Sequence, residues 1–246
     1  MPVLYLSPSV REFIKYVDHG DEEYYMNLVA DTMEPYLYGN GVSFTRNDPE
    51  KSLAAAISAA NAGQYQLYLA LHSNASNEGV LGKKRGAEVY YHPESEKSRK
   101  AAQIIARNYR VFYPYPQLVD VLQGENMREI CQTEAPAVII KTAYHDDPED
   151  AQWVRDNIHN IGRSLAFSLT QYFGMPFSEP QTPKTAIVAT RFSFLHVREM
   201  PKVTSPVIGK IAKGAYVKVY EEAGEWTVIG YGNLLGFAKS RCLTVI

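Results

Sequence analysis

The sequence predicts a two-part chain: an α/β domain with a mainly parallel sheet and helices on both faces, then a small all-β barrel. Three observations carry this. Strand-like and helix-like patterns alternate over residues 1–175. A polar stretch with several prolines follows at 176–184. Beyond it, residues 185–246 hold only short alternating apolar runs punctuated by glycine.

The first strand is Val3–Leu6. Glu23–Leu37 reads as a helix, because Tyr25, Leu28, Val29, Met33, Tyr36 and Leu37 fall close to one face. Val42–Thr45 is a strand and Pro49–Ala62 an alanine-rich helix. Leu67–Leu71 is an apolar strand that delivers His72 to its end, where Ser73-Asn74 turns the chain. Gly86–Tyr91 is a strand, Glu94–Phe112 a helix, Ala137–Thr142 a strand and Pro148–Phe173 a long helix. Such alternation builds a parallel sheet covered on both sides. Gly174, Pro176, Pro180 and Pro183, interleaved with polar residues, make an extended spacer. Ala186–Val188, Leu195–Val197, Tyr216–Tyr220 and Trp226–Val228 are the barrel strands, broken by Gly209, Gly214, Gly224, Gly230, Gly232 and Gly236.

Composition narrows the function classes. The net charge of −2 gives no basic field for nucleic acid or anionic lipid. No apolar run approaches the roughly 20 residues that span a membrane. The opening Val3-Leu4-Tyr5-Leu6 reads as a strand, so no signal peptide is visible. Cys131 and Cys242 fall in different predicted domains, so no disulfide is expected. The 18 tyrosines are mostly half-buried strand residues, although rings with a polar tip also suit carbohydrate and peptide surfaces.

Several motifs carry a family resemblance. Residues 195–243 resemble the bacterial Src-homology-3-like cell-wall module through Leu195-His196-Val197-Arg198, Val207–Ile211, Lys213-Gly214, Glu225-Trp226, Gly236-Phe237 and Leu243. His196 stands where that family usually has asparagine. Such modules commonly bind peptidoglycan peptides, which makes Trp226 and Tyr231 the candidate binding residues. Residues 1–175 resemble the zinc-dependent N-acetylmuramoyl-L-alanine amidases of the amidase-3 class. The matching segments are Glu23–Leu28, Phe44-Thr45-Arg46, Ala60-Asn61-Ala62, Leu71–Ala75, Gly86–Tyr91 and Ala135–Ile140. The resemblance implies zinc held by Glu23 and His72, a peptidoglycan or muropeptide substrate, and cleavage between the muramic lactyl group and L-alanine.

Two positions depart from the family. Its first strand ends in a turn whose histidine is the remaining ligand; here the turn is Ser7-Pro8-Ser9-Val10, with Val10 at that position. Its catalytic glutamate is replaced by Lys141. A hydrolytic zinc needs about three protein ligands and an open position. His145, just past the end of the strand that carries Lys141, is the candidate third ligand, and His19 is a second candidate. His92 would rim the cleft, and His159 is a surface residue. Asp147 reads as a helix N-cap, Pro148 as its first helical position, and Glu149 and Asp150 as first-turn acids. Asp146 is left over to orient His145. A protonated lysine about 4 Å from a unit charge of the same sign costs about 4 kcal/mol at an effective dielectric of 20, and zinc doubles that. Lys141 therefore turns to water, loses its proton to become a general base, or fills a vacated metal position by pairing with Glu23.

Three functional readings follow. The first is a zinc amidase. The second is a catalytically inactive wall-binding protein on an amidase scaffold, with no cofactor. The third is an interaction protein whose barrel binds another protein. A phage-type lysin, released through a pore made by another protein, and a cytoplasmic protein are both compatible with the absence of a visible leader.

Overall fold

A computed structural model describes residues 2–76, 82–179, 184–198, 201–232 and 234–246, without the side chains of 221–223 and 235. Pro180–Pro183 of the expected spacer lie outside the described residues. The chain divides into two units, Met1–Phe177 and Ser178–Ile246.

The first unit runs β1 (Val3–Pro8), α1 (Glu22–Gly39), β2 (Ser43–Arg46), α2 (Leu53–Asn61), β3 (Leu67–Asn74) and β4 (Ala87–Tyr91). It continues with α3 (Glu96–Tyr109), β5 (Val119–Gln123), α4 (Arg128–Cys131), β6 (Ala137–Tyr144) and α5 (Pro148–Phe173). Its six-stranded sheet has the order β2-β1-β3-β6-β4-β5. All neighbours are parallel except β4 and β6. Both faces are covered. Leu67, Leu69 and Leu71 of β3 pack with Val138 and Ile140 of β6 under apolar residues of α1, α3 and α5. The alternate residues Tyr68, Ala70, Ala137 and Ile139 pack with Ala60 of α2 and Ile130 of α4. This period-two alternation fixes the site, because His72 and Lys141 continue the second set and face one another in register across β3 and β6.

Asp21 caps α1 by accepting from the Tyr24 amide, and Asp147 caps α5 by accepting from the Glu149 and Asp150 amides, with Pro148 next. Asp150 does more than favour the first turn. Its buried carboxylate accepts from the Gly86 and Tyr144 amides and the Tyr113 hydroxyl, tying α5 to β4 and β6. β5 and α4 fall in residues 113–136, where no periodic pattern predicted an element.

The second unit is a seven-stranded antiparallel sheet in the order β13-β7-β10-β11-β12-β8-β9. Its strands are β7 (Lys184–Val188), β8 (Phe194–Arg198), β9 (Val207–Ala212), β10 (Tyr216–Ala223), β11 (Trp226–Tyr231), β12 (Leu234–Lys239) and β13 (Leu243–Val245). Val188, Leu195, Val197, Ile211, Val217, Val219 and Ile229 are among the residues of its own core. Both cysteines are free thiols. No helix among the described residues is long and apolar enough to cross a membrane.

Candidate functional site

The carboxyl ends of β1, β3 and β6 open on a cavity of 410 Å³ lined by Arg11, Glu22, His72, Glu129, Lys141 and His145, among others. Crevices at this edge are where open α/β sheets bind ligands.

The acid against His72 is Glu22, one residue before the Glu23 that the resemblance indicated. The phase of α1 explains this. Glu22 shares its face with Met26, Val29 and Met33, all buried, and is itself 1% exposed. Glu23 lies about 100° round the helix, among Asp21, Glu12 and Glu50; its pKa is raised by desolvation and by those three charges.

Every oxygen of Glu22 is engaged. Oε1 accepts from the Ser73 amide at 2.7 Å and the Ser73 hydroxyl at 3.1 Å. Oε2 accepts from the Ser9 hydroxyl at 2.6 Å and lies 3.5 Å from His72 Nδ1. The Ser7–Val10 turn thus contributes a hydroxyl from Ser9 where the resemblance placed a histidine at Val10. On the other side of the ring, His72 Nε2 lies 2.9 Å from Glu129 Oε2. Glu129 Oε1 accepts from the Tyr68 hydroxyl, whose oxygen accepts in turn from the Ser7 hydroxyl at 2.8 Å. No motif or periodicity pointed to Glu129. It is a single acid on a one-turn helix, with no periodicity around it, and only the docking of α4 brings it to β3.

Charge follows from these contacts. Burial disfavours a charged His72, but Glu129 and then Glu22 outweigh it and raise its pKa to about 9. Burial also opposes ionised Glu22, yet His72, Ser9 and Ser73 hold its pKa at about 2. Glu129 is likewise lowered, against desolvation, by His72 and Tyr68, with Arg11 adding to the effect. At neutral pH the buried row is carboxylate, imidazolium, carboxylate.

His145 joins the row through Ser73, whose Oγ lies 2.9 Å from its Nδ1. Ser73 has one hydroxyl proton and gives it to Glu22, so Nδ1–H donates to Ser73 and Nε2 keeps a lone pair. Desolvation, with Lys141 adding to it, lowers the His145 pKa against the pull of Glu22 and Asp146. The ring is neutral at neutral pH. Asp146 does not orient it: that carboxylate accepts from the Ser76 and Gly82 amides.

Lys141 donates to Asn74 Oδ1 at 3.0 Å and sits 5.3 Å from the Tyr90 ring centroid. It pairs with neither Glu22 nor Glu23. Desolvation, together with Arg11, lowers its pKa, while Glu88 and Glu22 pull the other way. Of the other histidines of the first unit, His19 is exposed, His92 accepts from the Glu94 amide, and His159 bonds the Tyr36 hydroxyl on the surface of α5. None of these three lines the cavity.

In the second unit Trp226 is 8% exposed and covered by Lys239, whose Nζ is 4.4 Å from the ring centroid. Lys239 thus lies over one face of the indole. Tyr231, 46% exposed, remains available.

A family model described as N-acetylmuramoyl-L-alanine amidase matches residues 17–170, well over half of the chain. The chain belongs to the N-acetylmuramoyl-L-alanine amidase family. A bacterial SH3 domain model matches residues 193–244 of the amidase-family chain. Comparison with curated proteins finds no match. Among solved structures, an N-acetylmuramoyl-L-alanine amidase of Nostoc punctiforme matches with a TM-score of 0.63 at 13% identity, over 70% of this chain and 97% of that one. The catalytic domain of an amidase from Bacillus (Paenibacillus) polymyxa gives 0.61 at 17%, over 72% and 100%. An amidase of Clostridium difficile 630 gives 0.62 at 13%, over 70% and 97%. At these identities the likeness is one of fold. The amidase model begins at residue 17, beyond the Ser7–Val10 turn.

The donors of this amidase-family site do not fit the zinc that the family implies. His72 Nε2 lies 2.9 Å from Glu129 and Nδ1 3.5 Å from Glu22, so a metal could take a lone pair of this ring only if one of these carboxylates gave way. Both Glu22 oxygens are already spent on Ser9, Ser73 and His72. Among the described residues no group of three or more His, Cys, Asp or Glu side chains is arranged to hold a metal ion.

Proposed function

We propose that this chain is a peptidoglycan-directed member of the amidase family that binds muropeptides in the β1/β3/β6 cleft without the family's zinc-dependent hydrolysis. The observation that carries this is His72, whose two ring nitrogens both face carboxylates. The family's chemistry needs that imidazole neutral and a carboxylate where Lys141 stands. The fold, the cavity and the appended SH3 domain support retention of wall binding.

The test combines three measurements on the intact chain: zinc content after equilibration with zinc, release of amine ends from cell walls, and co-sedimentation with insoluble peptidoglycan. The expected result is sedimentation with no stoichiometric zinc and no amine release. Stoichiometric zinc that disappears in His72→Ala, together with amine release, would sink the proposal. The hydrolase is the competing reading, and one observation favours it: neutral His145 lines the same cavity as Glu22 and His72. It requires His72 to lose its extra proton and part from Glu129.

A further inference from the structure

The same cleft carries an unusual charge arrangement. Arg11, Arg128 and Lys141 all line it. Among the described residues, none of the three lies within ion-pair distance of a carboxylate. Lys141 spends one N–H on Asn74. Arg128 makes one long contact, from Nε to Gln132. No side-chain hydrogen bond of Arg11 is found among the described residues. The two acids in the cleft, Glu22 and Glu129, are both turned to the His72 ring, and neither forms an ion pair with the three cations. Glu88, the other acid near Lys141, keeps its charge but lies outside the cavity lining, its oxygens accepting from Asn74, Tyr90 and Tyr144. Arg11 is close enough to Lys141 to lower its pKa, so the two cations repel each other in a partly desolvated space. A bound anion would relieve that repulsion and take up the unused donors, and charged donors favour a carboxylate over a neutral amide.

We propose that the cleft seats a free carboxylate of its ligand between Lys141 and Arg11, with Arg128 at the rim. This rests on the reading above that Glu22 and His72 bind each other and Glu129 rather than a metal. Where the amidase-3 class has a catalytic carboxylate, this chain has an amine. The sign of the group at the end of the cleft is therefore inverted, and so is its ligand preference. In a muropeptide the carboxylate has two sources: the peptide's own acid groups, or the lactyl acid of muramic acid freed of peptide.

Titration calorimetry on the full chain in chelator-treated buffer tests this. The probes are N-acetyl-L-alanyl-D-glutamic acid γ-methylamide, its α-carboxamide counterpart, and N-acetylmuramic acid. At least one acid should bind about tenfold or more tighter than the carboxamide, the value of one charged hydrogen bond. The preference should shrink with salt and collapse in both Lys141→Met and Arg11→Ala. Arg11 is only partly buried, so its variant remains informative if the Lys141 variant fails to fold. Preference for the dipeptide acid assigns the peptide as the source; preference for N-acetylmuramic acid assigns the lactyl group. Both acids binding no tighter than the carboxamide, or a preference that survives Lys141→Met and Arg11→Ala, would overturn the inference. Sedimentation with peptidoglycan in the face of such a result would leave the wall-binding proposal standing. Stoichiometric zinc with amine release would remove that proposal instead.

Discussion

Glu129 and Glu22 decide the charge of His72, and the consequence can be measured as stability against pH. The folded pKa of His72 is raised to about 9 from an ordinary 6.5, since Glu129 and Glu22 overcome the desolvation that opposes its charge. A raised pKa contributes stability fully below the unfolded value and loses it as pH climbs through the folded one. The contribution is therefore present below about pH 6.5, fades toward 9 and is absent above. Glu22, held at about 2, behaves oppositely. Its share is present above roughly pH 4.5 and is lost as pH falls toward 2. The clasp should stabilise most between roughly pH 4.5 and 6.5. Urea denaturation midpoints taken across pH 5–9 should fall on the alkaline side in the wild type. In His72→Gln that alkaline slope should flatten; an unchanged slope would show that His72 is not the titrating group. Glu129→Ala strands the imidazolium on one side and should cost about 3–5 kcal/mol near pH 6, as for other broken buried pairs. A loss within 0.5 kcal/mol would mean that the His72–Glu129 contact is not formed in solution.

At the scale of elements, the α1–α5 crossing makes a sharp demand. Gly162 sits in α5 where an added Cβ would lie 2.8 Å from Thr32 Cβ and 3.0 Å from the Val29 carbonyl oxygen, both on α1. Gly162→Ala would gain about 1 kcal/mol of helix propensity on an open surface. Here it forces two buried helices apart, and overpacking of this kind costs about 1–3 kcal/mol. A helical backbone cannot yield like a side-chain tip, so the second term should win. Chemical denaturation should show a net loss, and a stabilised variant would mean that the helices are packed more loosely than described. These helices were legible in the sequence because apolar residues recur along them at helical spacing. β3 was legible through its continuous apolar run, and His72 through its place at the end of that run. β5 and α4 were not, being short and without a repeated pattern, and Glu129 went unseen with them. Glu22 was within reach of the same periodicity that revealed α1: it completes the row of Met26, Val29 and Met33. A motif match fixes a neighbourhood, whereas helix phase fixes which of two adjacent acids is buried.

At the scale of the whole molecule, two units with separate cores sit on one chain. Six residues, 178–183, join Phe177 to the start of β7 at Lys184, so the tether between the units is short in sequence. If both units engage the same insoluble polymer, as proposed, binding by one holds the other at a millimolar effective concentration. Weak individual affinities then multiply without any contact between the units. Apparent binding of the intact chain to peptidoglycan should exceed that of either unit by about 10²-fold or more. A mixture of the separate fragments, 1–177 and 178–246, should show no such gain. The comparison also tests the barrel's own role. Tyr231→Ala, an exposed change away from the second unit's core, should weaken the intact chain toward the level of fragment 1–177 while leaving its thermal unfolding unchanged. If fragment 1–177 alone sediments as well as the intact chain, the SH3 domain contributes nothing to wall affinity, and its exposed rings serve some other partner.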